Sequence, residues 1–391
     1  MFNLTSDDMK DRGATHTASE IHHQPEVWKE WVTEFFKNKE RYNEFLESIY
    51  QRHAKVRVIL TGAGTSAFVG DTLAPELNRL NKDHIHFESV PTTNIVSNPT
   101  AYLQSETPTI MVSFARSGNS PESVATVELG QKLISNFYQV VITCNKEGQL
   151  AQNIRNDNNS ILLLMPEKSN DKSLAMTSSF STMMLAAYQL FNPQPFTGEE
   201  TTKVISNAEQ LRESVADQVD DILNFDFNRI IYLGSGLLGQ LAHEASLKML
   251  ELTAGNVVAL YESSLGFRHG PKSIVNNQSL VVVFLSSNAY TRKYDMDILK
   301  ELASANNGMK VIAVTEKTDD EVKKLADWVI SVNFNGETLA TDLELGFLYI
   351  MFAQVLATKK SMKLGITPDN PSPDGTINRV VQGVTIYDYE G

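Results

Sequence analysis

The sequence predicts an α/β protein built from two tandem, doubly wound parallel-sheet domains. Three observations predict it. Short apolar runs alternate with helical patterns, which means parallel strands covered on both faces. The alternation occurs twice along the chain. The two rounds are in register, because Gly62 and Gly234, Gly64 and Gly236, and Ser113 and Leu285 each stand 172 residues apart. A constant offset of this kind marks a duplicated unit. The expected layout is a helical segment over 1–49, a first domain over 50–195, a second over 200–361, and a tail over 362–391.

Each element follows from the residue pattern. Val27, Trp28, Trp31, Phe35, Phe36, Phe45 and Ile49 recur at helical spacing, so residues 19–51 read as helix, with Pro25 suited to a first turn. Residues 56–60 form a buried strand that runs into Gly62-Ala63-Gly64-Thr65-Ser66, followed by a helix over 68–80. Residues 85–90 are a further strand. The strand 109–113 leads through Ala115-Arg116-Ser117-Gly118-Asn119-Ser120-Pro121-Glu122 into a helix over 123–135. Strands at 138–143 and 160–165 and a helix at 177–191 complete the first domain. Asn192, Pro193, Gln194, Pro195 and Gly198 mark the boundary. The second round has a strand at 229–233, the turn Gly234-Ser235-Gly236, and a helix ending at Leu252. A strand at 280–285 follows, then Ser286-Ser287-Asn288, a helix over 295–305, and strands at 310–315 and 328–332. The tail from Met362 is rich in Pro, Gly, Asp and Asn and reads as an ordered loop or lid.

Composition excludes several functions. The chain has 391 residues, with 34 Lys and Arg against 47 Asp and Glu, a net charge of −13. That balance disfavours a sequence-independent nucleic-acid footprint and attraction to an anionic membrane, so neither partner is expected. A single Cys, Cys144, rules out an internal disulfide framework and a Cys-based zinc site, and its place at the end of a buried strand reads as core. Residues 1–12 lack an apolar targeting core, and the longest apolar stretch, near 346–357, is too short to span a bilayer. A cytoplasmic protein is therefore expected. An anionic ligand would need to be held by something other than bulk charge.

In open parallel sheets, ligands sit beyond the carboxyl ends of the strands, near the switch in strand order. Two strand-to-helix turns there are rich in small hydroxyl residues: Gly62-Ala63-Gly64-Thr65-Ser66 and Ser117-Gly118-Asn119-Ser120. Glycines admit a ligand close to the backbone, and helix N–H groups with adjacent hydroxyls bind an anion without a cation. The plain alternative is that these are ordinary turn and N-cap residues. Two such loops on successive strands of one sheet favour the phosphate site. A dinucleotide site is a weaker competitor, since Ala67 stands where G-x-G-x-x-G needs its third glycine, although Glu88 is available for a ribose. Gly234-Ser235-Gly236-x-x-Gly239 matches that short pattern but is already explained as the duplicated turn.

Candidate chemistry clusters in the second half. Lys248 and Glu251 are i, i+3 on one helix and share a face. They read either as a solvated ion pair or, given Leu247, Met249, Leu250 and Leu252 around them, as a partly buried pair. A carboxylate kept from water has its pKa raised, as a general base needs. Glu244 and Glu262, the latter expected in the following loop, are rival carboxylates. His269, in Arg268-His269-Gly270-Pro271, reads as an exposed loop residue or as a proton carrier held by the Gly-Pro turn, with Glu262, Ser263 and Ser264 near it in sequence. His22-His23, His84-x-His86 and His243-Glu244 are possible pieces of a metal site, but no third ligand stands at a recognisable spacing. No metal and no cofactor are expected. No G-x-S-x-G elbow is present.

These motifs resemble a known family. The halves resemble sugar isomerase (SIS) domains, which implies a flavodoxin-like fold. Over about 20–391 the chain is similar to bacterial galactosamine-6-phosphate deaminase/isomerase proteins, also called tagatose-6-phosphate ketose/aldose isomerases. The resemblance rests on residues 113–122, on Gly266-Phe267-Arg268-His269-Gly270-Pro271-Lys272, and on Asn378-Arg379-Val380-Val381-Gln382-Gly383. The isomerase half of glucosamine-6-phosphate synthase is a more distant likeness, through Glu20-Ile21, Gln24-Pro25, Leu247-Lys248-Met249-Leu250-Glu251 and His269-Gly270-Pro271. The resemblance implies that Gly64, Thr65, Ser66, Ser117, Gly118, Asn119 and Ser120 bind phosphate. It implies that Glu251 moves a proton between C1 and C2, that His269 opens the sugar ring across a homodimer interface, and that Lys248 is an active-site lysine. The tail is then expected over the active site. Two departures stand out: Ala115 and Arg116 replace the synthase's serine and glutamine, and Gln382 replaces its tail lysine, leaving Arg379 as the nearby cation. Arg116 and Arg379 are accordingly candidate phosphate contacts. The implied reaction takes galactosamine 6-phosphate to tagatose 6-phosphate and ammonia. Isomerisation of a phosphorylated ketose without ammonia loss, or non-catalytic binding of a sugar phosphate by a regulator, are the alternatives.

Overall fold

A computed structural model describes residues 1–81, 84–193, 198–305, 307–339 and 341–391. Gln194 and Pro195, part of the expected domain boundary, lie outside the described residues. The chain divides into two compact units. One comprises Glu26–Asp171, Met176–Thr197 and Gly375–Gly391, the other Met1–Pro25, Lys172–Ala175 and Gly198–Asp374.

The first of these holds a five-stranded parallel sheet of β1 (Val56–Thr61), β2 (Ile85–Ser89), β3 (Thr109–Ala115), β4 (Phe137–Thr143) and β5 (Ser160–Leu164), in the order β2-β1-β3-β4-β5. The three central strands β1, β3 and β4 are buried along nearly their whole length, as strands covered on both faces must be. Ile59, Met111 and Val141 anchor an apolar core with Val124 and Val127 from the helix Pro121–Leu133 and Ile134 at its C-cap. The chain reverses its direction of winding between β1 and β3, so the switch point of this sheet lies at the ends of those two strands.

The other unit repeats the plan with β6 (Arg229–Gly234), β7 (Val258–Ser263), β8 (Ser279–Phe284), β9 (Lys310–Thr315) and β10 (Trp328–Ser331). Their order, β10-β9-β8-β6-β7, is the same topology, again wholly parallel. Duplication extends to backbone angles. Gly64 has φ 55°, ψ −130° and Gly236 has φ 58°, ψ −128°. A Cβ on Gly62 would lie 2.6 Å from the Ser66 carbonyl carbon, and one on Gly234 would lie 2.6 Å from that of Leu238. Both turns therefore need glycine at the same two places, for the same steric reasons.

Several elements differ from expectation. The helix expected over 19–51 is broken at His23, which caps Thr15–His22 before Gln24–Tyr50 begins, with Pro25 in the new first turn. The apolar stretch near 346–357 belongs to the helix Asp342–Lys363, capped by Thr341, which packs against the helices Leu237–Leu252 and Gly198–Ile222. It is apolar all round because it is buried all round. Among the described residues no helix is long and apolar enough to cross a membrane. Glu262 lies on the edge strand β7, not in a loop. The helix expected at 295–305 starts earlier, at Ala289, because the Asn288 side chain accepts from the N–H groups of Tyr290 and Thr291.

Candidate active site

In the unit containing β1–β5, the two hydroxyl-rich loops follow β1 and β3, at the switch point. Gly64 precedes the helix Thr65–Leu80, whose first residues Thr65 and Ser66 are 4% and 6% exposed. The Ser66 hydroxyl faces the Met176 sulfur at 3.8 Å. The second loop is braced from outside. Asn145 Nδ2 donates to the Ser117 carbonyl at 2.8 Å, and the N–H groups of Gln149 and Leu150 donate to Asn119 Oδ1 and the Gly118 carbonyl. Gly118 takes φ 69°, and Ser117 Oγ accepts from the Asn119 N–H at 3.3 Å. Ser120 stands at the N-cap of the helix Pro121–Leu133, yet its hydroxyl makes no capping bond to that helix. The plain N-cap reading of Ser120 is therefore not met.

Arg116 is 6% exposed and its Nη2 donates to the Arg379 carbonyl at 2.9 Å. Arg379 in turn gives Nε and Nη2 to the Asp171 carbonyl at 2.9 and 2.6 Å and Nη2 to Asn170 Oδ1 at 2.7 Å. The tail is thus tied to the end of β3 through its backbone, while its guanidinium is engaged elsewhere. The Asp171 carboxylate, which the sequence reading did not single out, accepts from the N–H groups of Thr177, Ser178 and Ser179 and from the Ser179 hydroxyl at 2.5–3.1 Å. It fills the donor sites at the start of the helix Ser178–Phe191. Nothing local in the sequence signals this cap, because Asp171 stands six to eight residues before its partners. Glu88, the expected ribose partner of a dinucleotide, is paired with Arg57 through both oxygens, at 2.7 and 2.8 Å.

The corresponding positions of the second sheet are closed from within. Leu237 and Leu238 stand where the first repeat has Thr65 and Ser66. Asp295, fully buried, accepts from the hydroxyls of Ser235 and Ser264 at 2.5 and 2.6 Å and from the Ser286 N–H at 3.0 Å. Burial pushes its carboxyl up, and these hydrogen bonds oppose that shift. Asp342 takes the hydroxyl of Ser286 and the N–H and hydroxyl of Ser287 at 2.6–2.8 Å. The protein's own carboxylates thus engage the hydroxyl and N–H donors that follow β6, β7 and β8. Neither aspartate carried a motif in the sequence.

The same unit carries the candidate proton-transfer residues. On the helix Leu237–Leu252, the Lys248 ammonium is wholly buried, 2.6 Å from Glu251 Oε2 and 3.4 Å from Glu244 Oε1. Glu244 is wholly buried as well, whereas the Glu251 side chain keeps 23% of its surface in solvent. This is a buried charge triad with one exposed member, not a solvated pair. Glu262 spends Oε1 on the N–H and hydroxyl of its neighbour Ser263. His243 stacks on Tyr261, with ring centroids 3.8 Å apart and planes at 15°. Burial pushes its imidazole down to about 4, so it is neutral near pH 7. His269 is exposed, at the junction of two short 3-10 turns, Gly266–Arg268 and Pro271–Ile274. Among the described residues no three His, Cys, Asp or Glu side chains are grouped to hold a metal ion.

Two sheets of the same flavodoxin-like strand order, the first with a pair of hydroxyl-rich loops at its switch point, define a duplicated doubly wound α/β class of protein. The SIS domain model matches residues 51–193 and 225–360, and the chain belongs to the SIS domain family. It is 43% identical over 377 residues to the D-galactosamine-6-phosphate deaminase AgaS of Escherichia coli O157:H7, covering 96% of each chain. It is 39% identical over 388 residues to the protein of the same name from Shewanella sp. strain ANA-3, covering 99% of this chain and 95% of that one. The crystal structure of tagatose-6-phosphate ketose/aldose isomerase from Escherichia coli matches with TM-score 0.88 at 40% identity, over 96% of this chain and 98% of that one.

Proposed function

We propose that this chain is an amino-sugar-phosphate deaminase/isomerase, converting galactosamine 6-phosphate and water to tagatose 6-phosphate and ammonia, as a cytoplasmic homodimer. Glu251 carries the reading: a carboxylate 2.6 Å from a wholly buried ammonium, with an edge still open to solvent. A base must be held in place and still reach its substrate, and among the carboxylates near Lys248 in sequence Glu251 meets both conditions. Glu244 is sealed, and Glu262 is engaged with Ser263.

In this scheme Gly64, Thr65, Ser66, Ser117, Gly118, Asn119 and Ser120 hold the 6-phosphate by N–H groups and hydroxyls, a local device suited to a chain of net charge −13. Arg116 adds a cation at the end of β3, and Arg379 anchors the tail that reaches it. His269 carries the proton from the anomeric hydroxyl to the ring oxygen, freeing the C1 aldehyde. Glu251 removes the C2 proton and delivers a proton to C1 through an enolamine, leaving an imine at C2. Water adds to C2 and ammonia departs, so a hydrolytic step completes the reaction. Lys248 fixes Glu251 and keeps its charge balanced. The deaminase names of relatives 39–43% identical support the amine and the galacto configuration. The isomerase name of the Escherichia coli structure supports a second reading, ketose–aldose interconversion without ammonia.

A screen of hexosamine 6-phosphates, following ammonia and ketose together, separates them. We expect ammonia from the galacto compound. Interconversion of tagatose 6-phosphate with its aldose, and no ammonia, would establish the second reading. The dimer rests on the family resemblance, which implies that His269 acts across the interface. Sedimentation of the active enzyme is expected to give a dimer, and an active monomer would remove that cross-subunit role.

A further inference from the structure

The turn carrying His269 is held by an arrangement that neither the fold nor the reaction requires in advance. His269 ends one 3-10 turn, its N–H donating to the Gly266 carbonyl at 2.8 Å. Gly270 then takes φ 125°, and Pro271 opens a second 3-10 turn. Such short turns are weakly self-supporting. Phe267, fully buried, pins the first turn to the core beneath β6 and β8. The second turn is held less deeply: none of its residues is buried, Ile274 packs partly against the same core, and its carbonyl accepts from Arg229 Nη1 at 2.8 Å.

Glu301 ties the two turns to each other. It lies on the helix Ala289–Ala303, whose Ile298, Leu299 and Leu302 are buried in the same core, so it rides on a fixed element. Its Oε2 pairs with Arg268 Nε at 2.5 Å, and its Oε1 accepts from Lys272 Nζ. Arg268 and Lys272 lie on opposite sides of His269, one in each turn. A single carboxylate with one oxygen on each cation closes the two turns around Gly270 and cancels the repulsion between the cations. An isolated surface pair contributes little, but a two-armed network on a rigid helix fixes geometry. Lys272 and Arg268 hold the Glu301 carboxyl below its ordinary range. A carboxylate lowered in this way keeps its interaction above its unfolded value and loses it only as pH falls through the folded one, so the clamp is charged throughout the neutral range.

We infer that Glu301 is a positioning residue that, through Arg268 and Lys272, sets the direction of the His269 imidazole for ring opening. The inference rests on the proposed role of His269, and a double-mutant cycle separates the two. In the wild-type background Glu301→Gln is expected to lower kcat on galactosamine 6-phosphate by about tenfold or more, with KM changed by less than about threefold, as misplacement of a working group does. In a His269→Ala background the same change is expected to cost less than about threefold, because there is no imidazole left to misplace. Losses that multiply across the cycle, or a wild-type loss under threefold, would overturn the clamp. A His269→Ala enzyme with full activity would instead remove the ring-opening role itself, and the clamp with it. Glu301→Asp keeps the charge on a shorter arm and serves if the Gln variant does not fold. Its kcat should fall between those of Glu301→Gln and wild type, and an Asp variant no better than Gln contradicts the assignment.

Discussion

Glu251→Gln is expected to reduce turnover of galactosamine 6-phosphate by about 10²–10⁴-fold, the span a positioned general base contributes. The substitution keeps the side chain's shape and a hydrogen-bond acceptor for Lys248, now 2.6 Å from Glu251 Oε2. It removes the group that can take and return a proton. Substrate affinity should change far less than kcat, because the phosphate is held by loops that Glu251 does not touch in this scheme. Binding that persists while ammonia release and ketose formation vanish together is the expected signature. Unchanged turnover would end the assignment of Glu251 and revive the reading of the chain as a sugar-phosphate binder without catalysis.

Lys248→Met is expected to be the most destabilising change in the same helix. It leaves the carboxylate of Glu244, wholly buried, without the ammonium 3.4 Å from it. Breaking a buried pair from one side costs about 3–5 kcal/mol, far more than the pair itself contributes, because the surviving charge loses its countercharge. Adding Glu244→Gln should recover much of the thermal midpoint, since the side chain there is then neutral. It should not recover turnover, because Glu251 would still lack its partner. A Lys248→Met protein as stable as wild type would mean that the triad is solvated in the working protein. Joint recovery of stability and activity in the double variant would reduce Lys248 to a structural role.

Much of this arrangement is legible in the sequence, and the rest is hidden for definite reasons. The 172-residue offset between Gly62 and Gly234 identifies the duplication because steric need for glycine is local: both turns bring a backbone carbon to 2.6 Å from a would-be Cβ. The hydroxyl-rich loops are legible for the same reason, being contiguous. The pairing of Lys248 with Glu251 follows from helical spacing, but the burial of Lys248 does not. The helix carrying it packs against β6, β7 and the helix Asp342–Lys363, the last of which the apolar stretch near 346–357 announces only as something too short for a membrane. Strand β7 goes unassigned in the sequence reading although Val257-Val258-Ala259-Leu260-Tyr261 is a continuous apolar run; it is an edge strand, with Val258 and Tyr261 exposed. Asp171, Asp295, Asp342 and Glu301 were invisible because each acts on residues supplied by other segments. Isolated acids in a chain with 47 of them carry no signal until the fold brings donors to them.

These residues also bear on how an acidic protein would hold a phosphate in the proposed scheme. The second repeat fills its own donors with Asp295 and Asp342, while the first repeat leaves the Ser120 hydroxyl uncommitted to its helix. In that scheme recognition of the anion is a matter of local geometry, with the repulsive global field discouraging loosely held anions elsewhere on the surface.

The most direct measurement uses galactosamine 6-phosphate carrying deuterium at C2. Ammonia, tagatose 6-phosphate and the position of the label are followed in one reaction. The account predicts one ammonia for each tagatose 6-phosphate, a slower reaction than with the unlabelled sugar, and loss of the C2 label to C1 or to solvent, all abolished in Glu251→Gln. Ammonia released with the C2 label retained, or ketose formed without ammonia, would contradict it.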